Sequence, residues 1–413
     1  MKLFSAQKDE HLNRVKINFL GIKLQMSNEK GVFKGLVDGL SAKIMNPFFI
    51  NKNKNYIQNK KDDIKRRLFI TTGNINLINN LAVMNQLNLW ENSENDVLVW
   101  SGIANCDFIE LSRKLCAEFP IHKFYSFLGS SKNFYQYIIK NFLTDYDDIY
   151  FVNINTLWKI IHKIYKHSSM HVTDEGACTV VPIKSIDYDK IDSLVMVNYL
   201  GKIDYVGYSE KVVPKIIELK REEVSKVFQI ASKLVPFEHK LNIEDKWIVL
   251  CGTFNGWRGG TYEDVLKYQN KIIKKLTEKG YKILFKPHPR DTFNYEETEQ
   301  FKIFNSRLSM ECYDISEVMA VVSLFSSVSL QIYYYQDIPS FIMPETIKDI
   351  EAVEYRLIVH YAPPIDLLYD IDTNCSAEEL KQRIKKTYNE WLNIKPMMHE
   401  NQELIDLYES THG

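Results

Sequence analysis

The sequence predicts an α/β protein made of two Rossmann-like domains followed by C-terminal helices. Three observations lead there. From Leu68 onward, short β-rich apolar runs alternate with longer helical ones; the alternation restarts at Lys246 after a helix-rich stretch; and 413 residues suffice for two cores.

In the first half the strand candidates are Leu68–Thr72 "LFITT", Val97–Trp100 "VLVW", Lys123–Leu128 "KFYSFL", Ile149–Ile154 "IYFVNI" and Met170–Thr173 "MHVT". Segments such as "NLINNLAVMNQLNLW" are long enough to be crossover helices, so the strands should pair in parallel. "VVPKIIELKREEVSKVFQIASKLV" reads as a helix-rich middle. The second half opens with "KWIVLCGTF", continues through "EDVLKYQNKIIKKLTEKG" with Gly280 as its C-cap, and reaches the strand "YKILFK". "SSVSLQIYYYQDIPSFIM" reads as a helix and a buried strand, and "SAEELKQRIKKTYNEWL" as a helix with a capping box of Ser376 and Glu379.

Ahead of this pattern, residues 1–65 form a basic extension and linker, with "VKINFLGIKL" as a strand-like staple and "NKNKNYIQNKKDDIKRR" as a solvated basic run. Such a run can lie on an anionic membrane surface or remain in solvent. The expected boundaries are 66–240 for the first Rossmann-like domain, 241–375 for the second and 376–413 for the C-terminal helices.

Bulk composition excludes several partners. Lys plus Arg number 52 and Asp plus Glu 53, so no global charge points to nucleic acid. The six cysteines show no metal-site or paired spacing and fit free thiols in a reducing compartment. No uncharged apolar run is long enough to span a bilayer, and no leader pattern opens the chain, so a cytoplasmic location is expected, with residues 1–65 as the candidate contact to a membrane face.

Ligands of open α/β sheets bind beyond the carboxyl ends of the strands, and three unusual stretches fall there. "HVTDEGACT" places Asp174 and Glu175 before a flexible Gly176. "ILFKPHPRD" ends a strand at Lys286 and clamps His288 between two prolines, which cannot extend the ladder and limit the conformations the histidine must lose on binding a ligand. In "AVVSLFSSVSL", Ser326 and Ser327 stand where a strand meets a helix, as phosphate ligands or as plain N-caps. "DYDD" at Asp145–Asp148 precedes its strand and so lies at the wrong edge for a metal site; no required metal or cofactor is expected. "GTFNGWRGG" fits neither the dinucleotide nor the P-loop spacing and reads as a loop at the cleft.

An acidic pair before glycine, then Lys-Pro-His-Pro, then Ser-Ser, in this order across two Rossmann-like domains, resembles the bacterial sialyltransferases and polysialyltransferases. The matching residues are Asp174–Gly176, Lys286–Pro289 and Ser326–Ser327, and "ISEVM" at Ile315–Met319 looks like the family segment whose glutamate contacts cytidine, here Glu317. The resemblance implies a GT-B fold whose two domains face a central cleft. It also implies CMP-sialic acid as donor substrate and a glycan acceptor, free or lipid-linked, in capsule or lipopolysaccharide synthesis. On this pattern Glu175 is the base, oriented by Asp174; His288, Ser326 and Ser327 stabilise the leaving phosphate; Lys286 and Glu317 contact the cytidine. Transfer of Kdo, legionaminic or pseudaminic acid, a CDP-glycerol-type phosphotransferase, and a non-catalytic capsule-assembly role stay open.

Overall fold

The computed structural model describes residues 4–9, 14–19, 22–27, 63–101, 106–141, 146–152, 155–165, 167–174, 190–197, 215–235, 237, 239, 241–252, 262–288, 295–324, 328–343, 361–397, 400 and 402. The chain divides into two compact units, Met1–Asp62 with Ser130–Asp145, and the remainder. The smaller unit holds an antiparallel meander, β1 (Phe4–Asp9), β2 (Arg14–Phe19) and β3 (Ile22–Ser27), together with helix α3 (Ser131–Asn141).

The larger unit contains two parallel sheets. In the first, β4 (Lys65–Thr71), β5 (Ser93–Ser101) and β6 (Lys123–Leu128) run outward to one side. Strands β7 (Asp148–Val152), β8 (Ser169–Thr173), β9 (Ser193–Met196) and β10 (Ile216–Glu218) run to the other, giving the order β10-β9-β8-β7-β4-β5-β6. Helices α1 (Asn74–Gln86), α2 (Cys106–Ala117) and α4 (Asn155–Ile164) occupy crossovers of this sheet. The second sheet repeats the plan with β11 (Trp247–Cys251), β12 (Lys282–Lys286), β13 (Phe301–Ile303), β14 (Ala320–Ser323) and β15 (Ser340–Ile342), in the order β13-β12-β11-β14-β15. Each sheet therefore reverses its winding once, beside β4 in the first and beside β11 in the second, and such switch points are where doubly wound sheets bind ligands.

Strand composition follows from burial on both faces. "WIVLC" of β11 is buried at every position, as a central parallel strand covered by helices must be. In the second sheet α6 (Tyr262–Glu278) ends at Gly280, whose φ of +87° suits glycine and lets Tyr281 N–H reach the Leu276 carbonyl at 3.1 Å. The C-terminal helix α9 (Ala377–Ile394) follows a short helix α8 (Asp366–Tyr369) and starts at Ser376, whose hydroxyl accepts from Glu379 N–H at 3.3 Å. It buries Tyr388 against Phe341 and Tyr333.

The two sheets are joined through α5 (Arg221–Leu234) and α7 (Val328–Gln336). Arg221 at the start of α5 donates to the carbonyls of Tyr333 and Tyr334 at 3.0 and 2.8 Å, complementing the negative end of α7. Tyr335 on α7 reaches across to the Asn79 side chain of α1 at 3.3 Å. These are the two Rossmann-like domains of the GT-B arrangement expected from the sequence.

Two expectations need correction. The strand Ser169–Thr173 does not close the first sheet, because β9 and β10 follow it; and "IIE" within the stretch read as helical is the edge strand β10. Both added strands have four residues or fewer, too short for a periodicity to register. Among the described residues no helix is long and apolar enough to cross a membrane.

Candidate functional site

A cavity of about 340 Å³ lies where the carboxyl ends of both sheets converge. Its walls include the β4–α1 turn at Thr72–Asn76, Ser101 at the end of β5, Cys251 and Gly252 at the end of β11, and Lys286 with Pro287 and His288 at the end of β12. The chain before and within the 3-10 turn Met310–Cys312 completes it with Ser309, Met310 and Glu311. Both winding reversals thus open onto one space, and its volume suits a small organic ligand.

His288 is half-buried and placed by its neighbours rather than by its own strand. β12 stops at Lys286, and Gly252 N–H donates to the Lys286 carbonyl at 2.8 Å, drawing the ends of β11 and β12 together. A Cβ on Gly252 would stand 3.0 Å from the Phe285 ring, 3.1 Å from the Lys286 carbonyl and 3.2 Å from the His288 backbone nitrogen. Only glycine permits that approach.

Lys286 lines the cavity but is 5% exposed, and its ammonium donates to the Ser306 carbonyl at 2.8 Å. Burial holds its pKa below the usual lysine range. Glu311 lies in the same wall at 4% exposure, and burial raises its carboxyl above the usual range. Its Oε2 has no hydrogen-bond partner among the described residues. Each group gains electrostatically from the other, since Lys286 lowers the pKa of Glu311 and Glu311 raises that of Lys286. The adjacent thiols of Cys251 and Cys312 are pushed up to about 12 by burial and are not poised as nucleophiles.

Asp174 follows β8 and is 2% exposed. Its carboxylate accepts from Val197 N–H at 2.9 Å, and its carbonyl accepts from the Asn76 side chain at 2.8 Å. Asn76 lines the cavity, so the start of the "DEG" segment is anchored directly behind the cavity wall. Both bonds tie Asp174 to neighbouring strand and helix ends. Glu175, Ser326 and Ser327 lie outside the described residues; Val328, next in the chain after the serine pair and first in α7, lines the cavity.

Glu317 is not brought to this site. It is exposed, in the turn that leads into the amino end of β14, where Met319 N–H donates to the carbonyl of Trp247, the first residue of β11. The cavity opens at the other end of β11, roughly 15 Å away at about 3.3 Å per residue. Among the described residues the acid in the cavity wall is Glu311, which no motif in the sequence marks. Its three-residue turn has neither periodicity nor a strand end to signal it.

At the edge of the "DYDD" segment, Asp148 opens β7 and pairs with Arg67 at 3.0 Å, a structural contact at the amino edge of the sheet. Among the described residues no cluster of three His, Cys, Asp or Glu side chains could hold a metal.

No protein-family model matches the chain, and no curated protein matches it significantly. Solved structures similar to it include a putative UDP-N-acetylglucosamine 2-epimerase from Listeria monocytogenes, at 9% identity and a TM-score of 0.48, covering 80% of this chain and 94% of that one. The glycotransferase of kitacinnamycin aligns at 10% identity and a TM-score of 0.47, covering 84% and 99%. Phytolacca americana UGT2, complexed with UDP-2fluoro-glucose and pterostilbene, aligns at 8% identity and a TM-score of 0.46, covering 84% and 98%. These likenesses are faint, and the fold rests on the strand order and pairing described above.

Proposed function

We propose that the protein is an inverting, metal-independent glycosyltransferase that moves sialic acid from CMP-sialic acid to a glycan hydroxyl in bacterial capsule or lipopolysaccharide synthesis. The observation that carries this reading is the convergence of the "DEG" and "KPHP" strand ends on one side of two doubly wound sheets, around a cavity lined by His288 and by the Asn76 that anchors Asp174.

In the proposed reaction Glu175 takes the proton of the acceptor hydroxyl. The freed oxygen bonds to the anomeric carbon as the bond from that carbon to the phosphate oxygen breaks, and the electron pair leaves with CMP. His288, Ser326 and Ser327 stabilise the developing charge on the phosphate. Asp174 positions the loop that carries Glu175. Lys286 supports the electropositive wall.

A thermal-shift comparison of CMP, CDP, UDP and ADP tests the donor class, because a ligand bound only by the folded state raises its midpoint. CMP should give the largest rise. A larger response to UDP or ADP, or no response to any of the four, contradicts the reading.

A further inference from the structure

Asn76 stands in the first turn of α1, and its side chain is engaged away from its own helix. Five of the 13 residues of α1 are asparagines. Asparagine competes with the backbone for hydrogen bonds and weakens a helix, so these positions call for partners elsewhere in the fold. Asn76 has two. Its amide nitrogen donates to the Asp174 carbonyl at 2.8 Å, and its side-chain oxygen accepts from the Thr72 hydroxyl at 3.1 Å. Thr72 and Asn76 both line the cavity, yet Asn76 is 4% exposed and makes both bonds within the protein.

The direction of these bonds is fixed by the groups themselves. A carbonyl can only accept, so the nitrogen of Asn76 must face Asp174; the oxygen then faces Thr72, whose hydroxyl must donate. The flipped amide would set two acceptor oxygens against each other. The accepting carbonyl belongs to the peptide group that joins Asp174 to Glu175, and a peptide group is planar. A bond to its oxygen therefore fixes the direction in which the chain leaves β8, while Val197 N–H separately holds the Asp174 carboxylate at 2.9 Å.

Resting on the reading of Glu175 as the base, we propose that Asn76 is a positioning residue for proton transfer: supported by Thr72, it holds the Asp174–Glu175 peptide in the orientation the base requires. A base must lie within hydrogen-bond reach of the proton it takes, and a displacement of about 1 Å costs on the order of a hundredfold in rate. The rival role for Asn76 is direct contact with a ligand, and the experiment separates the two.

Asn76→Asp is nearly isosteric and still accepts from Thr72, but its carboxylate has no proton for the Asp174 carbonyl. Once protonated it has one, and burial raises the pKa of a carboxyl introduced there. At neutral pH kcat should fall about a hundredfold while the donor KM stays within about threefold of wild type. The ratio to wild type, taken at each pH, should recover as the pH is lowered. Hydrogen exchange of the Asp174-containing peptide should follow the same course, faster than wild type at neutral pH and equal to it in acid. Thr72→Val keeps the shape and removes only the hydroxyl, so it tests the same support should Asn76→Asp fail to fold. It should lower kcat about tenfold, the worth of roughly one hydrogen bond, and Thr72→Ser should restore most of it. A raised KM at unchanged kcat would make Asn76 a ligand contact and overturn the proposal. So would a defect in Asn76→Asp that ignores pH, or unchanged exchange of the Asp174 peptide in the folded variants. The exchange arm needs no donor, so it decides whether Asn76 holds the end of β8 even if no CMP-sugar is turned over.

Discussion

The Asn74 side-chain amide donates to the Ser309 hydroxyl across 3.1 Å, linking the first turn of α1 on the first sheet to the approach to Glu311 on the second. Both residues line the cavity, so this bond helps set its width. Ser309→Ala should cost about 1–3 kcal/mol in stability, because the same hydroxyl also meets the Cys312 thiol at 3.6 Å and the Glu311 carboxyl. It should raise the donor KM more than it lowers kcat, because the walls are held apart less exactly while the reacting groups remain. Urea unfolding and steady-state kinetics check this; a large fall in kcat at unchanged KM would argue against a width-setting role.

Gly252 is the tightest point of the site. Gly252→Ala must push aside the Lys286 carbonyl or the His288 backbone, since the new methyl would lie near 3 Å from both. Overpacking of this kind costs about 1–3 kcal/mol. Transfer should fall well beyond what the stability loss explains, because the displaced atoms carry His288. Denaturation curves together with CMP-sugar turnover measure both effects; normal turnover would mean that His288 does not depend on this contact.

Glu311 predicts a pH signature. Burial raises its folded pKa above the ordinary glutamate value of 4.5. The folded state therefore keeps the proton longer than the unfolded chain, and this group's contribution to stability is present below that value and lost as pH rises towards the folded pKa. Glu311→Gln removes the loss. Its stability relative to wild type should climb with pH above about 4.5 and then level off. Unfolding free energies measured between mildly acid and neutral pH test it; a constant offset between the two proteins would show that Glu311 is already charged and compensated.

Asp174 separates positioning from chemistry. Asp174→Ala leaves the buried Val197 N–H without its acceptor, at a cost of about 1–3 kcal/mol. Asp174→Asn can still present an oxygen. If Asp174 orients its loop, the asparagine variant should keep transfer within about tenfold of wild type, about 1.4 kcal/mol in barrier, with an unchanged pH profile. A loss in Asp174→Asn as large as in Asp174→Ala, at intact stability, would mark the carboxylate itself as a reacting group.

The parts of the site that end strands were legible because proline, glycine and acidic pairs punctuate the chain there. "KPHP" located the end of β12 at Lys286, where the structure has it, and the capping serine of the last helix was equally plain. Glu311 was hidden because burial in a three-residue turn leaves no pattern, and "ISEVM" drew attention to Glu317 because sequence order cannot tell which end of a strand a turn adjoins.

The most direct test of the transferase reading is acceptor-stimulated release of CMP from CMP-sialic acid, measured beside CMP-Kdo and the other CMP-nonulosonic acids for wild type, Glu175→Gln and His288→Ala. The transferase reading requires release from CMP-sialic acid by the wild type, stimulated by a glycan acceptor and lost in both variants while the proteins remain folded. No release from any CMP-sugar by folded wild type, or undiminished release in Glu175→Gln, would contradict it.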